Sequence, residues 1–120
     1  MEAEMAELRF TTENRTGVVI AAFEGSIHMG GGDVVLKESV RKLIDEGMKK
    51  VVLDLSRVTA IDSVGIGQLV GLAASARRQG GEIRLAALTK KIRDLMEIVR
   101  LNTVFSCHDS VDDAVRAFRG

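Results

Sequence analysis

The chain of 120 residues contains no proline, no tryptophan and no tyrosine, and its aromatic residues are four phenylalanines. Proteins that bind single-stranded nucleic acid stack bases on aromatic side chains, and this sequence has almost none to offer. It also has no excess of positive charge, since 17 Lys and Arg balance 17 Asp and Glu. Nucleic-acid binders normally carry a basic surplus that neutralises phosphates. The sequence therefore predicts no nucleic-acid partner.

Cysteine and long apolar runs are equally scarce. The single cysteine, Cys107, excludes an internal disulfide and fits a reducing compartment. Its alternation with Phe105 predicts a buried thiol. The acidic N-terminal residues 1–7 lack the basic and then apolar layout of a signal peptide, and no apolar run approaches the roughly 18 residues of a membrane span. These features predict a cytoplasmic protein without direct membrane insertion.

What is present suits one packed domain over residues 1–120, with a core from about residue 8 to 118. Hydrophobic residues make up 46% of the chain, and no linker or repeat interrupts it. Residues 8–12 and 18–23 predict a β-hairpin joined by residues 13–17. Asp33 is placed to cap a helix that ends near Glu46, and residues 51–55 form an apolar run typical of a strand buried on both faces.

The second half of the chain continues the alternation. We predict a helix over residues 63–79, a strand over 82–87, a third helix capped by Thr89, a short strand over 104–107 and a last helix after Ser110. The order is β-β-α-β-α-β-α-β-α. It predicts an α/β fold with about four helices and a mixed, mostly parallel sheet of about five strands.

The junction between the buried strand and the second helix is the most informative stretch. Asp62 and Ser63 precede a helical apolar pattern, yet Gly65, Gly67 and Gly71 fall early in that helix. Each glycine lowers helix stability by about 1 kcal/mol relative to alanine. The glycines therefore indicate either close approach by another molecule or tight packing of the helix on its own sheet. At the helix N-terminus Ser63 could cap free N–H groups or accept a phosphate, and spacing alone does not choose between them.

The sequence shows no convincing pattern of catalytic residues. The two histidines, His28 and His108, have no second ligand at metal spacing, so we predict no metal, no cofactor and no enzymatic activity. The glycines at residues 30–32 lack the Gly-Lys-Ser/Thr ending of a phosphate loop, and Asp33 would repel an anion there, which favours a flexible connection. Asp54 is interpreted as an acceptor of hydrogen bonds from the loop at residues 59–61.

Three blocks together resemble the STAS family, the domain shared by sulfate transporters and bacterial anti-sigma factor antagonists. They are Val-Leu-Asp-Leu-Ser at residues 52–56, Ile-Asp-Ser-Val-Gly-Ile-Gly at 61–67 and Gly-Gly-Glu-Ile-Arg-Leu at 80–85. The resemblance covers residues 8–118 and implies a stand-alone antagonist. Such a protein binds a serine-kinase-type anti-sigma factor as a monomer or weak homodimer, and so regulates sigma-dependent transcription.

The family's switch is phosphorylation of a serine or threonine immediately before the first glycine of the second block. Here that position is Val64, which cannot be phosphorylated, so Ser63 is the remaining candidate for a phosphate. A second departure is His28, where the family commonly has Asp. The resemblance implies a partner-binding surface formed by His28, Gly30, Gly31, Asp62, Ser63, Val64, Gly65 and Gly67.

Two alternatives remain open at this point. The domain could be a scaffold in a stress-signalling assembly or an accessory subunit of a lipid transporter. It could also be a receiver-like phosphoacceptor domain, because Asp54 is predicted to end a parallel strand. A receiver needs an acidic pair after its first strand and a lysine after its last, and neither is convincingly present.

Overall fold

The computed structural model describes residues 8–119 and has the element order expected from the sequence. The acidic residues 1–7, from which the lack of a signal peptide is predicted, lie outside the described residues, as does Gly120. The strands are β1 (Leu8–Arg15), β2 (Val18–Ile27), β3 (Lys50–Ile61), β4 (Glu82–Ala86) and β5 (Cys107–His108). The helices are α1 (Gly32–Asp45), α2 (Ser63–Arg78), α3 (Lys90–Ile98) and α4 (Val111–Arg119), with a 3₁₀ turn at Leu101–Thr103.

The five strands lie in the sheet in their chain order, β1-β2-β3-β4-β5. β1 and β2 pair antiparallel, and the other neighbours pair parallel. Because right-handed crossovers that advance in one direction place their helices on one face, α1, α2 and α3 share a layer and α4 covers the other face. A receiver is doubly wound with its strand order reversing at a switch point, so the receiver-like alternative is wrong.

The core has two parts, one on each face of the sheet. The larger joins the α1, α2 and α3 layer to β2, β3 and β4 through fully buried side chains that include Leu36, Leu69, Met96 and Leu53. The smaller packs α4 on the opposite face through Ala114, Val115, Val18, Ile20, Val52 and Ala86. β3 is therefore buried on both faces in its first half, as its unbroken apolar run predicts.

Several boundaries differ from those expected. The hairpin turn contains only Thr16 and Gly17, both with positive φ, so β1 extends through most of the predicted link. β3 continues to Ile61 because it stays paired with β2 across two register shifts. These irregularities disrupt the alternation that would have revealed the strand. β5 begins at Cys107, three residues later than predicted, since the turn that starts at Leu101 continues to Phe105, whose N–H donates to the carbonyl of Leu101 at 3.0 Å.

The predicted buried thiol is also wrong, because Cys107 is exposed at the end of the sheet. β5 is a two-residue strand at the margin of the sheet, and Cys107 is its first residue. Within residues 8–119, no helix is long and apolar enough to span a membrane.

Candidate functional site

The candidate site lies where β2 and β3 end side by side. Ile27 and Ile61, the last residues of these two parallel strands, are register partners. The loop that leaves β2 leads into α1, and β3 leads directly into α2. The two segments predicted to bind a partner, residues 28–32 and 62–67, therefore start from the same point of the sheet.

Asp62 ties these two segments together. Its Oδ1 accepts a hydrogen bond of 2.9 Å from the N–H of Gly65, which makes Asp62 the N-cap of α2. Its Oδ2 accepts another of 2.9 Å from the N–H of Met29 in the neighbouring loop. Its own N–H donates to the carbonyl of Ile27 at 3.2 Å. One carboxylate thus holds both loops in a fixed arrangement.

The charge of Asp62 is favoured by this geometry. The hydrogen bonds from Met29 and Gly65 lower the pKa of its carboxyl below the ordinary value of 3.8, and the nearby His28 acts in the same direction. A carboxylate that accepts backbone N–H groups at a helix N-terminus is stabilised in its ionised form. Asp62 therefore stays ionised at neutral pH and fixes the loops as an anion.

Ser63 is the first residue of α2, and its side chain is exposed. The capping role considered for it is wrong, because Asp62 supplies the side-chain cap. Val64 follows as a partly exposed residue in the first turn. The hydroxyl of Ser63 is therefore at the helix N-terminus and reachable from solvent, whereas the neighbouring position carries no group that could take a phosphate.

Gly65 has a packing role inside the molecule. A Cβ built there would lie 2.5 Å from the carbonyl oxygen of Ile27 and 2.8 Å from Cγ1 of Ile61. Gly65 is buried, so the structure gives it a packing role, and its place in the predicted partner-binding surface stays a prediction. It allows the start of α2 to lie directly against the ends of β2 and β3.

Gly67 and Gly71 differ from Gly65 in this respect. Both are exposed, and a Cβ at either position would meet nothing within 4 Å. They lie on one helical face with the exposed Ser63 and with Val70, which is 37% exposed. We call Ser63, Gly67, Val70 and Gly71 the α2 surface. Its glycines have no packing role within the described chain.

The loop between β2 and α1 makes specific contacts, which argue against the flexible connection expected from its glycines. Gly30 has a φ of +88°, which favours glycine. Asp33 does not cap α1 from outside; it lies inside the helix, is buried, and accepts a 3.1 Å hydrogen bond from the N–H of Gly31. A Cβ at Gly32 would lie 2.1 Å from the carbonyl oxygen of Ser26.

The loop also presents an exposed apolar side chain within the segment predicted to bind a partner. Met29 is 70% exposed, and the hydrogen bond from its N–H to Asp62 fixes it beside the start of α2. His28, next to it, is partly buried and its carbonyl accepts a hydrogen bond from the N–H of Asp33. Methionine is enriched at protein interfaces. The position of Met29 between two glycine-rich segments was therefore the signal in the sequence for a contact residue.

Asp54 lies away from this site. It lies within β3, and its Oδ1 accepts a 3.0 Å hydrogen bond from the N–H of Ser56, not from the loop at residues 59–61 as predicted. It lines an open cleft on the sheet face, with a volume of about 550 Å³, together with Arg9, Thr11, Glu24 and Arg57. The strand continues for seven residues beyond Asp54, which separates it from the loops that Asp62 joins.

Comparison with known proteins agrees with this architecture. The family model described as the STAS domain matches residues 9–114. A Bordetella bronchiseptica protein named "Putative anti-sigma factor antagonist BtrV" is 28% identical over 112 residues, covering 93% of this chain and 96% of that protein.

Two crystal structures share the fold. One is a Thermotoga maritima protein described as "a putative anti-sigma factor antagonist", with a TM-score of 0.86 and 23% identity over 92% of this chain and 95% of that one. The other is an anti-sigma factor antagonist from Mycobacterium paratuberculosis, with a TM-score of 0.85 and 23% identity over 94% of this chain and 95% of that one. At this identity the likeness is one of fold.

Proposed function

The chain belongs to the STAS family, and we propose that it acts as an anti-sigma factor antagonist, a non-enzymatic module that binds a serine-kinase-type anti-sigma factor and so frees a sigma factor. The name of the Bordetella bronchiseptica relative, which this chain matches over nearly its full length, supports the antagonist role. The α2 surface and the adjoining loop supply the binding region.

The observation that carries the proposal is the pair of open glycines in α2. Gly67 and Gly71 each weaken the helix by about 1 kcal/mol relative to alanine, and neither relieves a contact inside the molecule. A helix that keeps two such residues on one exposed face allows another backbone to approach closely. The exposed Val70 and Met29 add apolar contact area next to them.

The arrangement also supports binding by preorganisation. Because Asp62 holds both the α2 N-terminus and the N–H of Met29, the two segments of the surface have one relative position before a partner arrives. A surface fixed in this way loses less conformational entropy on association.

Control of binding by phosphate differs from the family pattern. Val64 occupies the acceptor position, so the usual modification cannot form there. Ser63 offers an exposed hydroxyl one residue earlier, beside the carboxylate of Asp62. A phosphate on Ser63 would add about two negative charges next to this anion and change the charge of the α2 surface.

The proposal is tested by capture of the partner from the native bacterium. We expect immobilised wild-type protein to retain an anti-sigma factor with a kinase-type domain, identified by mass spectrometry. Gly67→Arg should lose it, because a long side chain would fill the open space, while Gly67→Ala should retain it. Ala117→Arg is the matched control, since it adds the same side chain at an exposed helical position of α4 on the other face of the sheet.

The purified partner then allows a direct measurement. We expect the antagonist to displace the sigma factor from its complex with the anti-sigma factor in a concentration-dependent manner. Equal binding by Gly67→Arg and Ala117→Arg would remove the α2 surface from the interface. Retention of a permease or of a scaffold assembly in place of an anti-sigma factor would favour the accessory or scaffold role and contradict the antagonist.

A further inference from the structure

The outer edge of β1 is an unusually regular strand edge. β1 is the first strand of the sheet, and no strand in the described part of the chain pairs with its outer side. Its eight residues contain no proline and no lysine, and they pair with β2 without a register shift. Native proteins normally protect such edges with prolines, bulges or charged side chains, lysine above all. β1 has charged side chains at Arg9, Glu13 and Arg15 but no proline, lysine or bulge.

The hairpin turn determines which backbone groups of β1 point outward. Arg15 and Val18 flank the two-residue turn and are register partners. In a hairpin of this kind the flanking pair exchanges both of its hydrogen bonds, and the pattern alternates from there. The odd-numbered residues therefore direct their N–H and C=O groups toward β2. The groups that face outward belong to Leu8, Phe10, Thr12 and Asn14.

These outward groups limit how two copies of β1 could pair. When two copies pair antiparallel about a two-fold axis, residues whose N–H and C=O groups face outward must lie opposite each other. A residue at the centre of the pairing therefore lies opposite its own counterpart in the second copy, and the axis runs midway between the two. Centring on Thr11 or on Thr12 pairs seven residues of each strand, whereas centring on Phe10 pairs only five.

Charge selects between the two longer registers. Centred on Thr11, Arg9 lies opposite Glu13 of the second copy, and the symmetry produces this pair twice. Centred on Thr12, Arg9 lies opposite Arg15, which is repulsive. The Arg9 and Glu13 side chains are 70% and 56% exposed and lie on the same face of the sheet. Each already has a partner in its own chain, since Arg9 lies 3.5 Å from Glu24 and Glu13 lies 2.7 Å from Arg15. The contacts across the edge would therefore extend these surface ion pairs.

The same register also covers an exposed aromatic side chain. Phe10 is 43% exposed on the opposite face of β1. In the Thr11-centred register it lies beside Thr12 of the second copy and diagonal to the second Phe10. Diagonal neighbours across an antiparallel pair are within reach of aromatic side chains. Charge and apolar contact thus favour one register.

We propose that two copies of this chain pair antiparallel through β1, centred on Thr11, and join their five-stranded sheets into one continuous sheet. The interface consists of one strand from each copy. The dimer is therefore weak and forms as concentration rises, which distinguishes it from an obligate dimer with a large apolar interface.

Charge reversal tests both the dimer and its register. Arg9→Glu and Glu13→Arg should each weaken self-association by about tenfold or more, because two attractive pairs become repulsive. An equimolar mixture should form a heterodimer, since each Glu then faces an Arg. Sedimentation velocity over a wide concentration range measures all three samples and the wild type, and circular dichroism verifies that the variants are folded.

Disulfide trapping gives an independent reading of the register. In the proposed dimer the two Thr11 residues form a non-hydrogen-bonded pair with Cα atoms about 4.5 Å apart, which is within disulfide range. Thr11→Cys in a Cys107→Ser background should therefore form a covalent dimer under mild oxidation. Thr12→Cys in the same background is the matched control, because its counterpart lies two residues further along the strand.

Three results would overturn the proposal. They are a wild type that stays monomeric at every concentration, a mixture of the charge variants that associates no better than either alone, and trapping at Thr12 that equals or exceeds trapping at Thr11. A covalent dimer specific to Thr11, together with rescue in the mixture, would establish this pairing.

Discussion

Replacing the three glycines of α2 by alanine, one at a time, should change the stability of the fold in opposite directions. At Gly67 and Gly71 the added methyl group enters open space, and both positions are helical. The replacement therefore gains the difference in helix propensity, about 1 kcal/mol at each site. At Gly65 the same methyl group would lie 2.5 Å from the carbonyl oxygen of Ile27, so the start of α2 would have to move.

These contributions translate into measurable shifts. Unfolding a chain of 120 residues carries an entropy of about 0.25 kcal/mol/K, so 1 kcal/mol corresponds to about 4 °C in Tm. We expect Gly67→Ala and Gly71→Ala to raise Tm by about 4 °C each. For Gly65→Ala, an overpacking penalty of about 3 kcal/mol exceeds the propensity gain of about 1 kcal/mol, so Tm should fall by about 8 °C.

Far-UV circular dichroism is the suitable assay, because the chain has no tryptophan or tyrosine to report unfolding by fluorescence. Urea titrations of the wild type and the three variants give free energies of unfolding, and a common slope shows that the unfolded states are comparable. Loss of stability in Gly67→Ala or Gly71→Ala, or an unchanged Gly65→Ala, would refute the distinction between open and packed glycines.

Three further predictions concern the start of α2. Asp62→Asn should lower the free energy of unfolding at neutral pH. Because the pKa of Asp62 is depressed in the folded state, its carboxylate stabilises the fold above the ordinary pKa near 3.8, and this stabilisation is lost as pH falls through the folded pKa. The difference between variant and wild type in urea titrations should therefore shrink on acidification. Ser63→Ala should leave the free energy of unfolding nearly unchanged, since Asp62 is the cap; a loss as large as that of Asp62→Asn would contradict this. Mass spectrometry of protein from the native host should find no phosphate at position 64, whereas Val64→Ser should acquire one if the cognate kinase recognises the loop.

The sequence was sufficient for the architecture because its signals were local. The apolar run at residues 51–55 predicted the central strand, and the alternation of strands and helices predicted a mostly parallel sheet; both are confirmed. Thr89 caps α3, as its position predicted, through a hydrogen bond from the N–H of Ile92. Such signals depend on neighbouring residues and need no knowledge of distant contacts.

The errors within the site come from contacts between segments distant in sequence. Gly65 and Gly67 are equivalent in the sequence, and only the approach of Ile27 and Ile61 makes one of them buried. Asp62 and Ser63 are both residue types that cap helices. The hydrogen bond from the N–H of Met29, 33 residues away, favours Asp62 at the N-cap position of α2. Tertiary packing decides these assignments.

The α2 surface and the β1 edge can be used at the same time. α1 contacts both β1 and α2 and so lies between them on one face of the sheet. Pairing through β1 occupies the outer edge of the sheet and none of the residues of the α2 surface. A β1-paired dimer therefore presents two α2 surfaces and could bind two partner molecules. If the partner is itself a dimer, this bivalency would increase the apparent affinity without any new contact at either surface. Charge reversal at Glu13 should then weaken capture of a dimeric partner while leaving the affinity for a single partner subunit unchanged.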